Sequence, residues 1–117
     1  MRRVLVVDDD AAIRQVMAEV LRDEGYVVME ASDGEIALEF ARHDPPDMIL
    51  MDLRMPKLDG VSAIRALKSD PTTALIPIIA MSAGNVLRAE AEQLPVAAVI
   101  SKPFELDALL ESIAINL

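Results

Sequence analysis

Asp8, Asp9, Asp52, Ser82 and Lys102 carry the chemistry this sequence can offer. Each follows a short aliphatic run: Asp8 and Asp9 follow Val4–Val7, Asp52 follows Met48–Met51, Ser82 follows the run ending at Met81, and Lys102 follows the one ending at Ile100. Taken singly they have ordinary roles. An acidic residue after a strand caps the next helix, a serine there turns the chain, and a lysine is solvated. Asp10 suits the helix cap better than either neighbour, which leaves Asp8 and Asp9 without that explanation. Brought to one place, the three carboxylates would repel, by about 1 kcal/mol per pair at ~4 Å in water and about 4 at an effective dielectric of 20. A cation relieves that repulsion. Oxygen donors with no cysteine and a single histidine, His43, favour Mg²⁺ or a similar hard ion that retains waters and receives a phosphate. Lys102 would supply a point charge for an oxyanion and Ser82 a hydroxyl donor. A carboxylate so surrounded, Asp52, can attack phosphorus and become an acyl phosphate.

Two alternating periodicities show how such residues would be positioned. Val4–Val7 reads as a strand buried on both faces. Asp10 then caps a helix whose Ile13, Val16, Met17, Val20 and Leu21 share one face, and Gly25 ends it as a left-handed cap. The cycle repeats with a strand over Tyr26–Ala31 and a helix that opens at Ser32-Asp33-Gly34-Glu35, a capping-box pattern, and stops before Pro45-Pro46. A third strand, Met48–Met51, precedes a helix from Gly60 to about Lys68. A fourth strand, Ile76–Met81, precedes a helix over about Asn85–Gln93. A fifth, Ala97–Ile100, precedes a helix carrying Leu106, Leu109, Leu110 and Ile113. Five β–α units imply an α/β fold: a doubly wound parallel sheet with helices on both faces. Ligands of such sheets bind beyond the carboxyl ends of the strands, which is where the chemistry-bearing residues fall.

Composition narrows the classes. The 117 residues suit one domain. The longest apolar run, Val96–Ile100, is far short of the ~20 residues a membrane span needs. With no signal peptide visible, the expected location is cytoplasmic. Twenty acidic against eleven basic residues give a net charge of −9, which repels nucleic acid and anionic membranes. Tyr26, Phe40 and Phe104 are too few aromatics for a base-stacking platform. The methionines at 17, 29, 48, 51 and 81 read as core filler, and His43 as a solvated residue near a helix end.

The segments Val6-Val7-Asp8-Asp9-Asp10, Met51-Asp52-Leu53-Arg54-Met55-Pro56-Lys57-Leu58-Asp59-Gly60, Met81-Ser82-Ala83 and Ser101-Lys102-Pro103-Phe104 resemble, in order and nearly at the usual spacing, the receiver domain of bacterial two-component response regulators. The resemblance covers essentially the whole chain and implies one receiver domain over residues 1–117, flavodoxin-like (βα)5 with strand order 2-1-3-4-5. It implies Asp52 as phosphoacceptor, with Mg²⁺ held by Asp8, Asp9, Asp52 and the backbone carbonyl of Arg54. It also implies Lys102 as the phosphoryl partner, Ser82 as the switch hydroxyl and a cis bond before Pro103. Met55-Pro56 and Asp59-Gly60 would shape the loop after the phosphoacceptor. Arg54 and Gly84 would occupy positions that tune phosphoryl loss. The implied partners are a sensor histidine kinase or phosphotransfer protein and a downstream target or output domain, with a homodimer allowed. Output would pass through the face of the fourth and fifth strands and helices.

The pattern departs from the family at Val99, where an aromatic residue is usual, and at Leu94–Ala98, where a Gly-Ala-type turn is usual. The interval from Ser82 to Lys102 is slightly short, which implies a clipped or loosened fourth helix. Other readings stand beside the signalling switch. An aspartyl phosphohydrolase would want an acid where Arg54 stands. A binding or dimerisation module could keep the acidic pocket as a relic. A flavin site would have its phosphate repelled by Asp8-Asp9-Asp10.

Overall fold

The computed structural model describes residues 2–55, 58–83 and 85–117, with backbone only at 85–88. Ten elements alternate: β1 (Arg3–Val7), α1 (Ala11–Asp23), β2 (Val27–Ala31), α2 (Gly34–His43), β3 (Met48–Asp52), α3 (Gly60–Ser69), β4 (Ile78–Ala83), α4 (Asn85–Glu92), β5 (Ala98–Lys102) and α5 (Leu106–Asn116). The strands form one parallel sheet in the order β2-β1-β3-β4-β5.

Strand alternation divides the core. Leu5, Val7, Ile49, Met51, Ile78 and Ala80 face α2, α3 and α4 and pack with Ala37, Ala41, Ile64, Leu67 and Ala91. Val4, Val6, Met48, Leu50, Ile79 and Met81 face the opposite layer, Met17, Ala18 and Leu21 of α1 with Leu109 and Ile113 of α5. With apolar side chains on both faces, the central strands read as unbroken aliphatic runs. Met17, Met48, Met51 and Met81 are fully or almost fully buried, as core filler should be.

Local signals set the helix ends. The Asp10 carboxylate accepts hydrogen bonds from the N–H groups of Ala12 (3.0 Å) and Ile13 (3.2 Å), and Gly25 closes α1 at φ +94°. Asp33, rather than Ser32, caps α2 by accepting from the Ile36 N–H at 2.9 Å. The third helical position is then Ile36, so a simple aspartate cap replaces the expected Ser32–Glu35 capping box. The fourth strand starts at Ile78 instead of Ile76. The Ile76 N–H donates to the Thr73 carbonyl and its own carbonyl accepts from Lys68 Nζ, which commits one backbone group to the preceding turn and the other to α3. As the short interval implies, α4 has 8 residues against 10 to 13 in the other helices.

Part of the expected apolar helix faces stays out of the core. Ile13 is 39% exposed, Val16 50% and Leu106 38%. Together with Lys102, Pro103 and Phe104 they line a groove of about 560 Å³ between the starts of α1 and α5. No helix among the described residues is long and apolar enough to cross a membrane.

Candidate functional site

Register brings the chemistry-bearing residues to one rim. Val7 pairs with Met51, so Asp8 and Asp52 leave adjacent strands side by side at their carboxyl ends. Asp52 pairs with Met81, Ser82 with Ser101, and Ala83 with Lys102. Side chains alternate along a strand. Asp52 therefore continues the face of Leu50, and Lys102 that of Ile100, both toward α1 and α5. Ser82 continues the face of Ala80 toward the other layer, the layer that also takes half-buried Val99.

Asp8, Asp9 and Asp52 each present a carboxylate oxygen within 4.8 Å of the others. Asp8 is wholly buried and Asp52 5% exposed, whereas Asp9 is exposed. Lys102 Nζ lies 2.9 Å from Asp8 Oδ2 and 3.4 Å from Asp52 Oδ1. The other Asp8 oxygen, Oδ1, accepts from the Asp10 N–H at 2.9 Å, and Asp52 Oδ1 accepts weakly from the Arg54 N–H at 3.4 Å. Ser82 Oγ is buried and has no hydrogen-bond partner among the described residues.

These distances have an electrostatic consequence. Burial first, and then the Asp8 carboxylate, raise the Asp52 carboxyl from 3.8 to about 6, although Lys102 and the Arg54 N–H pull the other way. Burial also disfavours the charge on Lys102, but its contacts with Asp8 and Asp52 outweigh that and hold the ammonium above the ordinary lysine value. One ammonium thus serves two buried carboxylates with a third close by, an arrangement short of positive charge. An all-oxygen donor set with an excess of negative charge and a buried hydroxyl lacking a partner fit a hard divalent cation and a tetrahedral oxyanion.

Glycines keep the loop after Asp52 close to the site. A Cβ on Gly60 would stand 2.6 Å from Leu53 Cα and 2.9 Å from the Asp52 carbonyl carbon, and one on Gly34 would stand 3.2 Å from Leu58 Cβ. The Gly60 N–H donates to the Leu53 carbonyl at 3.1 Å, while the Asp59 carboxylate caps α3 through the Ser62 N–H at 2.8 Å. The expected loop-shaping role of Asp59-Gly60 has this physical basis. Pro56, Lys57 and Gly84 lie outside the described residues. The Lys102–Pro103 peptide is cis, as the resemblance implies. The Arg54 side chain is exposed beside Asp59, Arg65 and Glu90, and exposed His43 engages the Glu39 carbonyl through Nδ1 at 2.8 Å.

Arg14 was not visible as a site residue in the sequence. Its Nη1 donates to the Asp8 carbonyl at 2.8 Å and its Nε to Glu30 Oε1 at 3.2 Å. The only signal was its place one helical turn after the Asp10 cap.

Comparison with known proteins agrees with this geometry. Residues 4–114 match the response regulator receiver domain. The transcriptional regulatory protein PdtaR of Mycobacterium tuberculosis is 37% identical over 113 residues, covering 96% of this chain and 55% of PdtaR. The chemotaxis response regulator CheY4 of Vibrio cholerae superposes with a TM-score of 0.92 at 30% identity, over 100% of this chain and 99% of that one. A signal receiver domain of a histidine kinase from Syntrophus aciditrophicus gives a TM-score of 0.94 at 25% identity, covering 100% and 90% of the two chains. The chain spans about half the length of the curated relative PdtaR. With its sheet order, its acidic rim and a match over nearly its whole length, the chain belongs to the response regulator receiver domain family, whose members are phosphoacceptor signalling modules.

Proposed function

We propose that residues 1–117 act as a receiver that takes a phosphoryl group onto Asp52 in a Mg²⁺-dependent reaction and passes the change to a partner. The observation that carries this reading is the meeting of Asp8, Asp9 and Asp52 within 4.8 Å, beside the Lys102 ammonium, while the unpartnered Ser82 hydroxyl leaves the same end of the sheet on its other face. Asp8, Asp9, Asp52 and the carbonyl of Arg54 would hold Mg²⁺, which supplies neutralising charge to the phosphoryl oxygens.

The chain's own residues do the rest. An Asp52 carboxylate oxygen attacks phosphorus on the donor. With a phosphohistidine donor the O–P bond forms as the P–N bond breaks, and the departing imidazole keeps the bond's electron pair. Lys102 pairs with one phosphoryl oxygen, as its present hold on two carboxylates allows. Ser82 Oγ donates to another and gains the partner it lacks. That new bond draws on β4, so the face of β4, α4, β5 and α5 is the element whose two states the phosphoryl group biases. Val99 is β-branched and aliphatic, so the switch here runs through the β4 backbone and α4 without an aromatic rotamer.

The phosphodonor is a sensor histidine kinase or phosphotransfer protein. To reach Asp52 it has to cover the rim, and the groove of Ile13, Val16, Phe104 and Leu106 beside Lys102 offers it apolar area. The output is a downstream protein, an output domain or a second copy of the chain, and the net charge of −9 argues against direct nucleic-acid contact by this domain. An amide-spectrum titration with Mg²⁺ and then beryllofluoride tests the reading. The expected result is stepwise saturable shifts, first at Asp8–Asp10 and Asp52–Arg54, then at Ser82 and Lys102. An unchanged spectrum would contradict it.

A further inference from the structure

We infer that Arg14, clamped by Glu30, is a positioning residue that orients the acidic pair Asp8-Asp9 for the cation; this rests on the phosphoacceptor reading above. The Arg14 guanidinium bridges two acceptors, the Asp8 carbonyl at 2.8 Å through Nη1 and Glu30 Oε1 at 3.2 Å through Nε. Its side chain is only 16% exposed. Glu30 stands near the end of β2 and is held from the other side by Arg22 at 3.5 Å.

The geometry of the turn shows what the bridge does. The Asp8 N–H is tied to the Ala31 carbonyl at 3.2 Å, and the Asp8 carboxylate to the Asp10 N–H and Lys102. Its carbonyl belongs to the peptide that joins Asp8 to Asp9. Holding that carbonyl fixes the peptide plane, and with it the direction in which exposed Asp9 leaves the turn relative to buried Asp8. Outer groups that orient the ligands of a metal typically matter 10–100-fold in affinity. The planar fork of arginine can serve two acceptors at once, whereas a lysine ammonium in its place is a single point.

Charge and geometry pull in opposite directions here, so they can be separated. Removing the Arg14 cation alone would make the rim more negative and favour Mg²⁺. Losing the bridge would loosen the ligands and disfavour it. Arg14→Lys keeps the charge and breaks the fork. Arg14→Met with Glu30→Gln removes both charges together and leaves the net charge unaltered.

The test is an amide-shift titration with Mg²⁺ on wild type, Arg14→Lys and the double variant, with hydrogen exchange of the metal-free chains and acetyl phosphate labelling. Both variants are expected to bind Mg²⁺ about ten-fold more weakly. Metal-free exchange at Asp9 and Asp10 should be faster. Labelling should need more Mg²⁺ yet reach nearly the wild-type rate at saturation. A purely structural role would instead lower the melting temperature with Mg²⁺ affinity unchanged. An Arg14→Lys chain with wild-type Mg²⁺ affinity overturns the inference whatever the double variant does. A wild-type chain that shows no Mg²⁺ shifts contradicts the phosphoacceptor reading itself, and the inference with it.

Discussion

Lys102 Nζ stands 2.9 Å from Asp8 and 3.4 Å from Asp52, closer to a carboxylate proposed to hold the cation than to the proposed phosphoacceptor. Before phosphorylation the ammonium thus makes up part of the missing positive charge and stabilises an otherwise unfavourable acidic rim. Its dual contact defines the expected effect of removing it. Lys102→Met leaves buried Asp8 without its cation, and should destabilise the metal-free chain by about 2–3 kcal/mol, at or below the low end for a broken buried pair because Lys102 is partly exposed. It should also slow labelling by about 10²-fold, the usual effect of removing one donor to a developing oxyanion. Denaturant titration and labelling kinetics read the two effects separately.

The raised Asp52 carboxyl makes metal-free stability fall as pH rises. The folded value of about 6 lies above the ordinary 3.8. The folded state therefore holds the proton more tightly, and that contribution is complete below about pH 4 and lost as pH passes through about 6. Asp52→Asn removes the dependence. At pH 7, without Mg²⁺, the variant should exceed wild type by about 2–3 kcal/mol, the equivalent of a two-unit shift. The gap should close by pH 4. Mg²⁺ at 100 times its dissociation constant should return about 2.7 kcal/mol to wild type and much less to the variant. Thermal unfolding across pH, with and without Mg²⁺, checks both directions.

Ser82→Ala should separate chemistry from response. Ser82 Oγ is buried without a partner, so its removal costs no hydrogen bond and relieves an unsatisfied polar group. Metal-free stability should be unchanged or higher by up to about 1 kcal/mol. The variant should still accept a phosphoryl group, while the shifts of β4 and β5 amides on beryllofluoride binding shrink. A clear loss of stability would show that the hydroxyl is satisfied before phosphorylation.

Gly60→Ala should damage the site from behind. A Cβ there meets the backbone of Asp52 and Leu53, neither of which is a flexible side-chain end. Overpacking of this kind costs about 1–3 kcal/mol, and here the strain falls on the proposed phosphoacceptor residue itself. Labelling should slow along with the loss of stability. Retained wild-type labelling would show that the loop yields elsewhere.

Val16→Asp should divide small donors from protein donors. Val16 is 50% exposed in the groove beside Lys102 and adds little to the core. Labelling by acetyl phosphate should stay near wild type, while transfer from a phosphohistidine protein falls about ten-fold or more, as for an interface residue worth over 1 kcal/mol. Equal loss with both donors would place the effect in the site and not in docking.

Much of this was legible because parallel strands write their burial directly into sequence. Val4–Val7 and Met48–Met51 announce central strands, and the polar residues that end them are those the register gathers. Asp10 and Gly25 punctuate α1 by local chemistry, which sequence carries faithfully. What escaped was set by tertiary contact. Ile13 and Val16 have helical spacing suited to a core, yet they lie in a groove, because periodicity gives the direction of a side chain and not what stands opposite. Ile76 looks like strand, but Lys68 and Thr73 claim its backbone. The Arg14 bridge joins α1 to β2 and to the backbone of the turn after β1, residues that no local pattern links.

The central claim is that Asp52 accepts the phosphoryl group with help from a bound cation. Intact-mass measurement after incubation with acetyl phosphate and Mg²⁺ tests it most directly, on wild type and Asp52→Asn in parallel. A single phosphoryl adduct on wild type, absent from Asp52→Asn and absent when Mg²⁺ is chelated, is the result predicted. An adduct that persists in Asp52→Asn, or a wild-type chain that stays unlabelled with Mg²⁺ present, would contradict it.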